Sequence, residues 1–209
     1  MSTNSQKNIQ ANLKRTLVLA SQSPRRKELL GKTGIAFKTF SVQVSEFLNE
    51  NLNLDDAIMA IARQKAEAVI EPVKSMNLPD ILILSSDTLV VLKGEVLGKP
   101  IDEGQAFDFL RRLSGQTHEV KTSVCFHDTV TNQTISEIES AFVTFKNLSD
   151  EQIWAYIKTG DPMDKAGAYG IQNTAKEFIV KLDGELDTVM GLPVKRVLRI
   201  IKDNQWTFS

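Results

Sequence analysis

Five short stretches of this chain carry side chains suited by kind and order to binding or catalysis. In Ser21-Gln22-Ser23-Pro24-Arg25-Arg26, Ser23 suits a helix N-cap and Pro24 the first helical position, where a missing N–H costs nothing. A helix start just after a buried strand offers free N–H groups and a positive dipole end, both favourable to an anion. Arg25 and Arg26 are poor choices there for helix stability, yet guanidinium forks match phosphate oxygens. The plainer alternative is a capped helix with solvated arginines. Lys65 interrupts the apolar stripe Ile58, Ile61, Ala62, Ala66 and Val69, so it either snorkels to an edge or meets an anion in a cleft. In Ser85-Ser86-Asp87-Thr88 a carboxylate follows the apolar run Ile81-Leu82-Ile83-Leu84. Read as lying just past a strand end, Asp87 suits metal binding or base work, or serves as a turn residue.

The fourth stretch, Gly94-Glu95-Val96-Leu97-Gly98-Lys99-Pro100, departs from a P-loop: it is one residue short between glycines and has Pro where the Mg-binding hydroxyl belongs. Lys99 is left as a point charge for a phosphate or as a turn lysine. In the fifth, Asp164-Lys165-Ala166-Gly167-Ala168-Tyr169-Gly170-Ile171-Gln172, glycines bracket an aromatic in a segment of no clear period. Such glycines let backbone approach a ligand, and the Gln172 amide has the donors and acceptor to pair with a base edge. A purely structural loop is the alternative. His118 and His127 read as strand residues, Cys125 as a buried strand thiol, and no nucleophile-elbow or Cys–His pattern occurs.

The elements that must position these groups follow from periodicity and caps. Strands are expected at 16–20, 37–44, 81–84, 118–126, 135–145 and 178–182, with a hairpin over 89–97 turning at Lys93-Gly94 and a turn at Asp183-Gly184. Helices are expected from Pro24 to about Lys32, over 54–73 behind an Asn53 cap, over 102–113 closed by Ser114-Gly115, from Ser149 with a capping box to Gln152, and over 193–201. Strands interleaved with helices indicate α/β architecture with a mixed sheet. Residues 1–15 read as a frayed extension without the apolar core of a secretory signal, and 16–209 as one domain.

The 209 residues, 42% hydrophobic and 24% charged, are ordinary for a globular protein. A net charge of −1 disfavours a nucleic-acid polymer as partner. No apolar run is long enough to span a membrane, and one cysteine excludes an intrachain disulfide. A cytoplasmic protein fits this composition.

Taken in order, the motifs resemble those of the Maf family: Ala20-Ser21-Gln22-Ser23-Pro24-Arg25-Arg26, Lys65-Ala66, Ser86-Asp87-Thr88, Gly98-Lys99-Pro100, Ser114-Gly115 with His118-Glu119-Val120, the segment from Asp164 to Gln172, and Gly191-Leu192-Pro193. The resemblance covers about residues 17–201. It implies an elongated α/β fold similar to inosine triphosphate pyrophosphatases, with two lobes around a nucleotide cleft. It also implies divalent-metal-dependent hydrolysis (Mg²⁺, Mn²⁺ or Co²⁺) of a nucleoside triphosphate between its α and β phosphates, and a homodimer.

By the same resemblance Asp87 is the proton acceptor and a metal ligand with Glu46. Arg25, Thr88 and Gln172 match the specificity positions of the dTTP/UTP branch; the branch similar to methylated-GTP pyrophosphatases usually carries Trp and Glu at the first and last of these. Ser23, Arg26, Lys65, Lys99 and Lys165 match phosphate-binding positions. The stretch Leu186-Asp187-Thr188-Val189-Met190 departs from the family pattern. A nucleotide-binding regulator of cell division is the rival reading the same resemblance carries.

Overall fold

The computed structural model describes residues 14–76, 78–172 and 174–209. In chain order the regular elements are β1 (Lys14–Leu19), α1 (Pro24–Gly31), β2 (Phe37–Thr39), α2 (Leu54–Lys74), β3 (Ile81–Leu92), β4 (Glu95–Leu97), α3 (Glu103–Leu113), β5 (Thr117–Asp128), β6 (Gln133–Phe145), α4 (Asp150–Ile157), β7 (Ile179–Asp183), α5 (Leu186–Met190), α6 (Val194–Asp203) and β8 (Thr207–Phe208). The eight strands form a mixed sheet in the order β2-β1-β3-β5-β6-β7, with β4 on β3 and β8 on β1. β1 is parallel to β2, β3 and β8, whereas β4 and β7 are antiparallel to their neighbours. The expected mixed α/β class is the observed one.

The chain divides into two compact units. The first comprises Met1–Asp87, Ser123–Ile138 and Leu192–Ser209, and the second Thr88–Thr122 and Glu139–Gly191. In the first, one core cluster joins Val18 and Ala20 of β1, Ala62, Ala66, Val69 and Val73 of α2, Ile81 and Ile83 of β3, and Cys125. The stripe that predicted α2 is therefore the face it buries. In the second unit, Val90, Leu97, Phe109, Leu110, Phe145, Ile153, Tyr156, Tyr169 and Phe178 belong to one cluster.

Caps start the helices where local chemistry predicts. Side chains of Ser23, Asn53, Asp102 and Ser149 each accept from a backbone N–H one turn on, and Ser149 with Gln152 completes the capping box.

Several expectations need correction. Lys14 and Arg15 are not part of a frayed extension: they pair with Thr207 and Phe208, and the buried Arg15 guanidinium donates to Asp128 Oδ2 at 3.0 Å. The rest of that extension, 1–13, lies outside the described residues. β2 ends at Thr39 instead of residue 44, because its partner β1 ends at Leu19, opposite Thr39. The largest correction concerns Asp87. The strand does not stop after Leu84; β3 continues to Leu92, so Asp87 stands mid-strand, buried. The polar run is tolerated because Ser85 Oγ donates to the Ala62 carbonyl at 2.5 Å and Ser86 Oγ to that of Ser123 at 2.8 Å. The stretch from Leu186 to Met190 forms α5, closed by Gly191 at φ 103°, a conformation glycine adopts without strain.

Candidate active site

In the first unit two helices and one irregular stretch bring charge to Asp87. α1 presents its first turn: Ser23 Oγ accepts from Arg26 N at 3.4 Å, and Ser21 Oγ takes Ser23 N at 3.2 Å and Arg26 Nη1 at 3.5 Å. Arg25 and Arg26 are both half-buried there. From α2, Lys65 Nζ donates to Asp87 Oδ1 at 2.5 Å and meets Glu46 Oε1 at 2.6 Å, with 12% of its side chain exposed. Lys65 therefore breaks the apolar stripe because its head group has two anions to reach, which resolves the choice between snorkelling and an anion partner. Glu46 arrives on the irregular stretch between β2 and α2.

Burial pulls the Arg26 guanidinium below its ordinary value; the carboxylates of Asp87 and Glu46 oppose this, and Arg25 adds to it. Two arginines, a lysine and two carboxylates thus share one neighbourhood. The cations are held close together by the acids between them, and that arrangement favours an incoming polyanion.

A divalent cation can be tested against this donor set. Among the described residues no group of three or more His, Cys, Asp or Glu side chains could hold a metal. Glu46 and Asp87 instead offer two carboxylates converging on a single point, the Lys65 ammonium. That suits a cation such as Mg²⁺, which takes one or two carboxylates and completes its shell with substrate phosphates and water. It does not suit a resident structural metal.

The remaining expected residues lie in the second unit. Thr122 Oγ1 gives its proton to the Thr188 carbonyl at 2.7 Å, so in its 3.0 Å contact with Thr88 the Thr88 hydroxyl is the donor. Lys99 is exposed, and Gln172 is exposed behind the buried Ile171. The Gly167 N–H donates to the Gly98 carbonyl at 3.0 Å, joining the two loops that carry Lys99 and Gln172. A side chain at Gly167 (φ 67°) would strike Val90, so this loop needs glycine for both space and conformation.

Lys165, expected on a phosphate, is buried, and its ammonium meets the Asp161 carbonyl at 2.5 Å, Asp161 Oδ1 at 3.1 Å and Asp164 Oδ1 at 2.6 Å. The ammonium is thus held between Asp161 and Asp164. Tyr156 and Asp161, which hold that cluster, drew no notice in the sequence: Tyr156 has the spacing of a core residue of α4, and Asp161 sits in a Gly-Asp-Pro turn.

His118 and His127 are strand residues, as expected, each with a hydroxyl partner: Tyr169 at 2.7 Å and Thr134 at 2.9 Å. Burial lowers the His118 imidazole to about 4. The fold thus favours its neutral form, so its contribution is complete above the unfolded value near 6.5 and is lost as pH falls towards 4. His118→Gln should be less stable than wild type at pH 7, and that gap should narrow by up to about 3 kcal/mol at pH 4. Thermal unfolding across this range checks it; a constant gap contradicts it.

A mid-strand carboxylate ringed by the cations of two helices defines an α/β protein equipped to act on a polyanionic substrate. Residues 16–204 match the family described as Maf-like protein. The chain belongs to the Maf family.

It is 45% identical over 90% of its length to a dTTP/UTP pyrophosphatase of Bdellovibrio bacteriovorus, of which 98% is covered. It is 42% identical to a dTTP/UTP pyrophosphatase of Bacillus velezensis, covering 90% of this chain and 95% of that one. A nucleoside triphosphate pyrophosphatase of Haemophilus ducreyi is 44% identical, at 89% and 93% coverage. A crystal structure of a nucleoside-triphosphatase / dITP/XTP pyrophosphatase from Mycobacterium abscessus aligns over 90% of this chain and 93% of that one, at 12% identity and a TM-score of 0.41.

Proposed function

We propose that this protein hydrolyses dTTP and UTP to the nucleoside monophosphate and pyrophosphate, in the cytoplasm. The observation that carries the reading is the mid-strand Asp87 with Lys65 on Oδ1 and Arg26 beside it. The relatives named dTTP/UTP pyrophosphatase at 40–45% identity support the choice of substrate.

With Oδ1 bound to the ammonium, Asp87 Oδ2 accepts a proton from water as the water oxygen forms its bond to the α-phosphorus. The bond from that phosphorus to the bridging oxygen breaks, and the leaving pyrophosphate carries away the electron pair. Arg25, Arg26 and Lys65 neutralise the phosphate oxygens, where charge grows, and Ser23, at the cap of α1, is assigned to the phosphates with them. Glu46 and Asp87 would hold a divalent cation in exchange for the Lys65 ammonium, which would then be released to the phosphates. The cation would supply further neutralisation of the triphosphate.

Lys99 is assigned to the phosphates, and Thr88 and Gln172 to the base. The Gln172 amide donates to O4 of uracil or thymine and accepts from N3–H; cytosine reverses both roles. Lys165, whose ammonium meets Asp161 and Asp164, is assigned here to its own loop instead of to the phosphates.

The test is pyrophosphate release from dTTP, UTP, CTP, ATP, GTP and 7-methyl-GTP with Mg²⁺, Mn²⁺ or Co²⁺, and again after chelation. Turnover is expected to be fastest for dTTP and UTP and lost on chelation. Release of inorganic phosphate instead, or preference for methyl-GTP, would overturn the assignment.

A further inference from the structure

In the second unit the residues preceding Gln172 are held by a part-buried polar network. At its centre is the Asp161 carboxylate. Its Oδ2 accepts from the Tyr156 hydroxyl at 2.5 Å and its Oδ1 meets Lys165 Nζ at 3.1 Å. Tyr156 in turn accepts the Gly170 N–H at 3.0 Å. The Lys165 stem lies so close to Gly170 that a Cβ there would stand 2.7 Å from Cε. Tyr169 is held separately by His118 Nε2 at 2.7 Å, and Gly167 by the Gly98 carbonyl.

Every one of these ties falls between residues 165 and 170, and the next residue, Ile171, is buried. Gln172 itself is exposed. The place of its amide is therefore set by backbone anchored two residues earlier, not by packing around its own side chain. Burying Tyr156 and Lys165 around a shared carboxylate also has a cost in desolvation that a plain apolar turn would avoid. Its return is a single geometry for the segment.

We propose that Lys165, Asp161 and Tyr156 form a clamp that positions Gln172 for base selection, and that Lys165 acts there as a positioning residue without touching phosphate. The inference rests on the assignment of Gln172 to the base. Loosening the clamp shifts the amide relative to the O4 and N3 edge, and a misplacement of about 1 Å can cost up to about a hundredfold in rate. The phosphate cradle stays as it is, so inorganic pyrophosphate should bind the altered enzyme as it binds the original.

The experiment compares wild type with Lys165→Met, Tyr156→Phe, Gln172→Ala and Lys65→Met. Two quantities are read: the ratio of kcat/KM for UTP over CTP, and the inhibition constant of inorganic pyrophosphate. For Lys165→Met and Tyr156→Phe the ratio should fall by about tenfold, with the pyrophosphate constant within about twofold of wild type. Lys65→Met should show the opposite pattern.

A Lys165→Met enzyme with the ratio intact and pyrophosphate binding weakened overturns the clamp in favour of a direct phosphate contact. If that variant does not fold, Tyr156→Phe, which removes one oxygen atom, decides alone: an unchanged ratio overturns the clamp. A ratio lost in Gln172→Ala but kept in both clamp variants defeats the clamp and spares the base assignment. A ratio unchanged in Gln172→Ala brings down both.

Discussion

Asp87→Asn is expected to lower kcat for dTTP and UTP by about a thousandfold, within the range a positioned general base contributes. The fold should survive the change. An amide oxygen takes the place of Oδ1 and still accepts from Lys65, and Lys65 keeps its second anion in Glu46. Ser85 and Ser86, which anchor β3 on either side of α2 and β5, do not depend on the carboxylate. The two measurements belong together: pyrophosphate release on the purified variant, and its thermal unfolding beside wild type. A stable variant turning over within about tenfold of wild type would mean that the proton goes elsewhere.

The second large effect is expected from Lys65→Met. Methionine keeps the apolar stem in the α2 stripe and removes only the charge that joins Glu46 to Asp87. In the free enzyme two carboxylates would then face each other with Arg26 nearby. The destabilisation should fall short of the roughly 3–5 kcal/mol typical of breaking a buried pair. Glu46 is 41% exposed and turns to water, and Arg26 stays beside Asp87. In the transition state the loss is greater, because charge grows on the departing pyrophosphate: about a hundredfold to a thousandfold in kcat/KM, with weaker inhibition by inorganic pyrophosphate. Unchanged pyrophosphate inhibition would remove Lys65 from the phosphate cradle. Lys65→Arg should recover only part of the activity, since a planar fork does not reproduce an ammonium meeting two carboxylates.

Much of the scaffold was legible in the chain because its signals are local. An N-cap is a contact between residues three apart, so Ser23, Asn53 and Ser149 announced their helices, and the stripe on α2 announced the face it buries. Local reading failed at Ser85-Ser86-Asp87-Thr88 for the same reason. A polar run signals the end of a strand unless distant groups satisfy it, and here the carbonyls of Ala62 and Ser123 do so, 23 and 37 residues away. β2 was overextended because alternation shows only that a strand is possible; its length was set by where β1 stops.

The amino-acid order by itself determined the α/β class, the helix starts, and which residue types were out of place: arginines at a helix N-terminus, a lysine in an apolar stripe, a carboxylate close behind an apolar run. Only the tertiary structure decided which of those charges meet. It set Lys65 between Asp87 and Glu46, and it turned Lys165, of the same type and expected in the same role, towards Asp161 and Asp164 instead. Charges attract according to their separation in space and their removal from water. Neither quantity follows from their spacing along the chain.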